Sequence, residues 1–128
     1  MKHRIHVVLL TLYLISTSLA DAASSLPKEF RKGKTAAKVT MLEFSAPWCA
    51  SCKKLKPELT KLQKKFGANL VVHHINLESE AGEKQAESFG VDSIPTFFLY
   101  NKQYQLIQKI EKDITPEQLR SLITQAEK

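Results

Sequence analysis

The spacing of apolar side chains predicts four strands and three helices. Short apolar, often β-branched runs typical of buried strands occur at 38–46, 69–77, 94–101 and 104–112. Between the first two runs, apolar residues recur with the helical period, at Leu55, Leu59, Leu62 and Phe66. A shorter helical stretch follows the second run and is weakened by Gly82. The order β-α-β-α-β-β-α predicts an α/β fold, a mixed four-stranded sheet with helices on both faces.

Residues at the helix ends favour the same boundaries. Gly67 follows the first helix, and glycine is favoured where a helix stops because it tolerates a positive φ. Thr115, Pro116 and Gln118 are typical of a helix start, with an N-cap, a proline in the first turn and a capping-box partner. The apolar stripe of this last helix is Leu119, Leu122, Ile123 and Ala126. Pro57, inside the first helix, predicts a kink there.

The N-terminus has the three-part layout of a secretory signal peptide. Lys2 and Arg4 precede an uncharged stretch and then small residues up to Ala22, after which we expect cleavage. The alternative is a retained membrane anchor, but the apolar run is shorter than the roughly 20 residues that span a bilayer. We therefore expect a mature protein in the periplasm or outside the cell. The predicted division is a signal peptide at 1–22, a polar lead-in at 23–35 and one domain at 36–128.

The chain is basic, with a formal net charge of +6. Much of the positive charge follows the cysteines, at Lys53, Lys54, Lys56, Lys61, Lys64 and Lys65. We interpret these lysines as a solvated helix face, and attraction to an acidic partner or an anionic membrane surface is the alternative. No aromatic residues alternate with them and no nucleic-acid motif occurs, so nucleic acid is not expected as a partner.

Three kinds of site compete for the only two cysteines, Cys49 and Cys52. A structural disulfide would close a four-residue loop, which stabilises by only about 2 kcal/mol. Zinc needs four ligands, and the remaining candidates, His73 and His74, are adjacent strand residues that face opposite ways, so no metal is expected. A redox centre suits a strand-to-helix junction, since a helix N-terminus stabilises the attacking thiolate. In this hypothesis Cys49, exposed at the turn, attacks, and Cys52 resolves the mixed disulfide.

Two segments, "VTMLEFSAPWCASCKKLKP" and "FGVDSIPTFFLYNKQ", resemble the thioredoxin family, and the resemblance extends over roughly residues 36–128. The Trp-Cys-x-x-Cys-Lys core, the helix proline and Ile94-Pro95-Thr96 match in order and spacing. The resemblance implies a thioredoxin fold, here with a truncated N-terminal strand and helix. It also implies a cis bond before Pro95, and a substrate groove to which Trp48, Ile94 and Pro95 belong.

Some positions depart from the pattern of the family. The buried aspartate of the family falls at Glu43, and a buried carboxylate makes Glu43 a candidate general base for Cys52. The usual lysine near that acid falls at His74, for which we favour a partly buried, space-filling role over a proton relay. The dipeptide between the cysteines is Ala50-Ser51 rather than Gly-Pro. These departures favour an exported, specialised relative over a general cytosolic thioredoxin.

We therefore expect a monomeric thiol–disulfide oxidoreductase without a bound cofactor. Its Cys49/Cys52 pair would exchange two electrons with protein thiols and disulfides, and an upstream redox partner protein would restore it. Glu43 and the lack of a helical insertion favour a reductant, with a disulfide oxidant or isomerase as the alternative. A client-binding module with incidental cysteines is a further alternative, disfavoured because Cys52 and Pro95 are both present.

Overall fold

The computed structural model describes residues 24–31, 38–112 and 114–128. Within these ranges the strands are Val39–Ser45 (β1), Leu70–Asn76 (β2), Thr96–Tyr100 (β3) and Leu106–Glu111 (β4). The helices are Ala50–Phe66 (α1), Glu80–Ser88 (α2) and Pro116–Ala126 (α3), and 3-10 turns cover Lys28–Phe30 and Gly67–Asn69. Each predicted strand and helix is present, in the predicted order. The predicted signal peptide lies outside the described residues.

The strands form one mixed sheet in the order β2-β1-β3-β4. β1 is parallel to β2, a pairing that requires a crossover, and α1 supplies it. β3 runs antiparallel to both β1 and β4. β1 therefore lies inside the sheet, and six of its seven residues are buried. Its carboxyl end leads directly into the loop that carries the cysteines.

Hydrophobic clusters cover both faces of the sheet, which confirms the prediction of helices on both sides. Side chains of α1 and α3 pack against Val39 and Met41 on one face. Side chains of α2 and of residues 24–31 pack against Leu42 and Phe44 on the other. Because side chains alternate along a strand, Glu43 belongs to the face covered by α1.

The helix ends follow the predicted local chemistry. The backbone N–H of Gln118 donates to Thr115 Oγ1 at 3.2 Å, and the Thr115 N–H donates to Gln118 Oε1 at 2.9 Å, which is the reciprocal pairing of a capping box. Gly67 ends α1 with a φ of 52°, a conformation that favours glycine. α1 continues through Pro57 up to Phe66.

Gly82 weakens α2 as a helix, but it is needed for the packing of α2 against β2. A Cβ atom at this position would lie 1.9 Å from the carbonyl oxygen of Asn76, the last residue of β2. The absence of a side chain therefore allows the first turn of α2 to lie directly against the end of β2.

Residues 24–31 contribute to the core, although their sequence suggested a polar lead-in. Leu26 and Phe30 are buried and belong to the cluster on the α2 face. The Leu26 N–H donates to the Tyr104 carbonyl at 2.8 Å, and the Leu106 N–H donates to the Ser24 carbonyl at 2.8 Å. This short antiparallel pairing attaches the segment to the start of β4. Across the described ranges, no helix is long and apolar enough to cross a membrane.

Candidate active site

Cys49 and Cys52 form a disulfide at the N-terminus of α1, with their Cα atoms 5.3 Å apart. Cys49 is the N-cap of the helix, and its Sγ accepts a hydrogen bond from the backbone N–H of Cys52 at 3.2 Å. The hydroxyl of Ser51 lies 3.5 Å from the same sulfur. The sulfur of Cys49 therefore takes the place of the side-chain oxygen that caps an ordinary helix.

The two cysteines are equally buried in this disulfide form. Cys49 is 5% exposed and Cys52 is 6% exposed, so the expectation that Cys49 alone is exposed is wrong for this state. The neighbouring Trp48 is 67% exposed. What distinguishes the two sulfurs is the helix terminus: the peptide N–H groups of the first turn point toward Cys49, whereas Cys52 lies inside the helix.

Glu43 is buried at 4% exposure, as the strand pattern predicts, and it forms an ion pair with His74. The two residues are register partners in the parallel pairing of β1 with β2, so their side chains leave the sheet on the same face. His74 Nδ1 donates to a carboxylate oxygen of Glu43. The imidazole is 55% exposed and therefore partly buried, and its bond to Glu43 is a polar contact that a space-filling role does not include.

The adjacent histidines have opposite electrostatic surroundings. The hydrogen bond to Glu43 raises the pKa of His74, against the opposing effects of partial burial and of the Lys56 charge. Burial lowers the pKa of His73, and the charge of His74 lowers it further. The His73 ring lies on the other face of the sheet, 5.2 Å from the ring of Phe30. Only His74 therefore belongs to the face that carries Glu43.

An open cleft of about 560 Å³ joins the acid, the histidine and the redox pair. Its lining residues are Glu43, Ser45, Ala46, Pro47, Cys52, Lys53, Lys56, His74 and Asn76. Lys56 was not predicted as part of a site, although it follows Cys52 by four positions and the helical period places both on one face. Within the described part of the chain, no three His, Cys, Asp or Glu side chains could hold a metal ion.

Pro95 lies at the same end of the sheet as the cysteine loop. Thr96 pairs with Phe44, so the preceding residue falls opposite the carboxyl end of β1. The Ile94–Pro95 peptide bond is cis. Pro95 is buried and Ile94 is half-buried. Neither residue lines the Glu43 cleft, and neither does Trp48, so these three side chains lie apart from it.

The profile of the Thioredoxin family matches residues 22–125. The chain belongs to the thioredoxin family. Oxidised mitochondrial thioredoxin 3 of Saccharomyces cerevisiae superposes with a TM-score of 0.61 and 30% identity, over 76% of this chain and 87% of that one. The thioredoxin fold predicted from the sequence is thereby confirmed. A Cys-x-x-Cys pair in this family is the redox centre of thiol–disulfide oxidoreductases.

Two longer proteins are also similar to this chain. A chloroplastic thioredoxin-like protein of Arabidopsis thaliana is 31% identical over 87 residues, which is 67% of this chain and 33% of that protein. A probable protein disulfide-isomerase A6 of Medicago sativa is 29% identical over 109 residues, which is 85% of this chain and 30% of that protein. The chain spans about a third of the length of these curated relatives.

Proposed function

We propose that this protein is an exported thiol–disulfide oxidoreductase that reduces disulfides of client proteins through Cys49 and Cys52. The observation that carries the proposal is the hydrogen bond from the Cys52 N–H to the Cys49 sulfur at the start of α1. A backbone donor and the positive end of a helix dipole both favour a thiolate over a thiol at Cys49. A stabilised thiolate is the form that attacks a disulfide.

The reaction transfers two electrons from the protein dithiol to the client. The Cys49 thiolate attacks one sulfur of the client disulfide, which forms a mixed disulfide and releases one client thiolate. The Cys52 thiolate then attacks Cys49 Sγ, which forms the intramolecular disulfide and releases the second client thiolate. The disulfide of this structure corresponds to that oxidised product. An upstream redox partner protein would reduce it and begin a new cycle.

Glu43 and His74 are proposed to carry the proton of Cys52. Cys52 must lose its proton before it can attack, and Glu43 lines the same cleft as Cys52. The carboxylate of Glu43 would accept the proton, and its bonded partner His74 reaches solvent, where the proton can be released. Trp48, Ile94 and Pro95, which flank the cysteine loop in sequence or across the sheet, would contact the client chain.

One observation supports electron transfer in the opposite direction, from client thiols to this protein. The similarity to a protein named as a probable disulfide isomerase favours an oxidant or isomerase as the second candidate. Reduction potential separates the candidates: equilibration of the purified domain with glutathione would give about −270 mV for a thioredoxin-like reductant and about −120 mV for a strong oxidant. A value near the second figure would overturn the reductant assignment.

The roles of the two cysteines are tested by trapping. Because the helix terminus activates Cys49, the Cys52→Ser variant should accumulate mixed disulfides with client proteins, since nothing resolves them. Cys49→Ser should accumulate few or none. Both variants lose the intramolecular disulfide, so each is a control for the other. Equal trapping, or trapping by Cys49→Ser alone, would reverse the assignment, and no trapping by either would argue for a client-binding module.

The exported location is proposed from the pattern of residues 1–22. Export and cleavage would leave a secreted or periplasmic protein that begins near Ala23. N-terminal sequencing of the protein recovered from the source cell would test this, and a product that still carries Lys2 and Arg4 would contradict it.

A further inference from the structure

The lysines at the two ends of α1 differ in their relation to the helix dipole. α1 contains six lysines and one acidic residue, Glu58, and its first turn contains no acidic residue. Lys64 and Lys65 lie in the last turn, where positive charge stabilises a helix. Lys53 is the fourth residue of the helix, near the positive end of the dipole, where positive charge is unfavourable. Helix stability therefore explains the distal lysines, Lys64 and Lys65. It does not explain the proximal lysines, Lys53 and Lys56.

The proximal lysines lie beside the redox pair. Lys53 and Lys56 line the cleft that contains Cys52, and His74 adds a third basic group to the same lining. Both lysines are exposed. Within residues 38–112 and the other described segments, no carboxylate forms an ion pair with either, whereas Lys61 pairs with Glu58 at 2.7 Å. The acid of the cleft, Glu43, is already paired with His74.

We infer that the Lys53–Lys56 side of the cleft binds an acidic segment of the client protein next to the disulfide to be reduced. This inference rests on the proposed function and adds a substrate class to it: protein disulfides flanked by Asp or Glu. Lys53, Lys56 and His74 line one concave surface that also includes the redox cysteine Cys52. Cys49 is bonded to Cys52, and Cys52 lines this cleft, so a client chain joined to Cys49 is held beside the cleft. A flat lipid surface, by contrast, does not enter a cleft.

The test compares disulfide-linked peptides that differ only in the three residues on each side of the disulfide: Glu, Gln or Lys. Trp48 is the only tryptophan of the chain and adjoins Cys49, so its fluorescence can report oxidation of the reduced protein in a stopped-flow instrument. Reduction of each peptide by dithiothreitol, an uncharged dithiol, corrects for the intrinsic reactivity of its disulfide. Lys53→Gln/Lys56→Gln is compared with Lys64→Gln/Lys65→Gln, which removes the same charge from the distal end of α1.

We expect the reduced wild-type protein to reduce the Glu peptide about tenfold or more faster than the Lys peptide at low salt. Raising the salt concentration should abolish this preference, because exposed charges are screened. The proximal variant should lose the preference, and the distal variant should keep it.

Each other outcome has a separate meaning. Equal rates for the three peptides would overturn the inference while leaving the proposed function intact, and failure to reduce any of them would overturn the proposed function. Equal losses in both variants would indicate a net-charge effect and no local site. If the proximal variant keeps the peptide preference but no longer sediments with phosphatidylserine vesicles that bind the wild type, the lysines serve a membrane surface and the inference is wrong.

Discussion

Removing the imidazole of His74 should destabilise the protein more than removing the charge of Glu43, although Glu43 is the buried partner. His74→Ala leaves a carboxylate at 4% exposure without the group that pairs with it. An unsatisfied buried polar group costs about 1–3 kcal/mol. The open cleft beside Glu43 admits water, so we expect the lower half of that range, about 1–2 kcal/mol. Glu43→Gln leaves His74 half in solvent and should change stability by less than about 1 kcal/mol.

Urea unfolding of the oxidised proteins measures this difference. With a slope of about 2 kcal/mol per molar urea, His74→Ala should lower the midpoint by about 0.5–1 M. The double variant Glu43→Gln/His74→Ala is the decisive control, because no carboxylate remains to be left unpaired. It should recover most of the loss. A double variant as unstable as His74→Ala alone would refute the reasoning, since the loss would then come from packing and not from charge.

The same pair predicts a direction for the effect of pH on stability. The hydrogen bond to Glu43 raises the pKa of His74 in the folded protein above its ordinary value of 6.5. The ion pair therefore contributes fully below that value, and its contribution is lost as the pH rises through the folded pKa. The cost of His74→Ala should accordingly shrink as the pH is raised above about 6.5 and through the folded pKa. A cost that stays constant, or grows, would contradict this account.

Two further predictions concern packing. Gly82→Ala should destabilise the fold by about 1–3 kcal/mol, against the helix preference of alanine, because the new Cβ would collide with the Asn76 carbonyl. Gly90→Asn is the control: Gly90 has a positive φ and open space around it, so this substitution should cost less. If Gly82→Ala and the wild type have equal thermal stability, the close approach of α2 to β2 is contradicted. Phe30→Ala should lower the free energy of unfolding by about 3 kcal/mol and hasten limited proteolysis within residues 24–31. Unchanged resistance to the protease would show that the ring contacts with His73 do not hold this segment.

The elements of the fold could be predicted from the sequence because each has a strong local pattern. The buried strand runs, the helical spacing in α1 and the capping box of Thr115 all act over a few residues. Burial of Glu43 followed from the same reasoning, since the strand on either side of it is apolar. Leu26 and Phe30 show the limit of that reasoning. Two apolar residues in a short polar segment define no period, and only tertiary contacts reveal that both are buried.

The sequence indicated Glu43, His74 and the cysteines as candidate site residues, but it indicated neither Lys56 nor the contacts among them. Glu43 and His74 are 31 positions apart, and their pairing depends on the register of β1 with β2. That register is set by packing of the whole sheet and not by either strand alone. The exposure of His74 likewise follows from the position of β2 at the edge of the sheet. The burial of Cys49 depends on the fold of its loop, which the alternation of apolar residues does not describe.

His73 and His74 lie side by side on β2 and will take up protons in a fixed order as the solution is acidified. Glu43 raises the pKa of His74, whereas burial lowers that of His73, and the charge acquired by His74 opposes the second protonation. One edge strand thus defines an intermediate state in which the cleft side of the sheet carries an imidazolium while the ring against Phe30 is still neutral. The NMR signals of the two imidazole rings would therefore shift over different pH ranges, and each would report protonation on one face of the sheet.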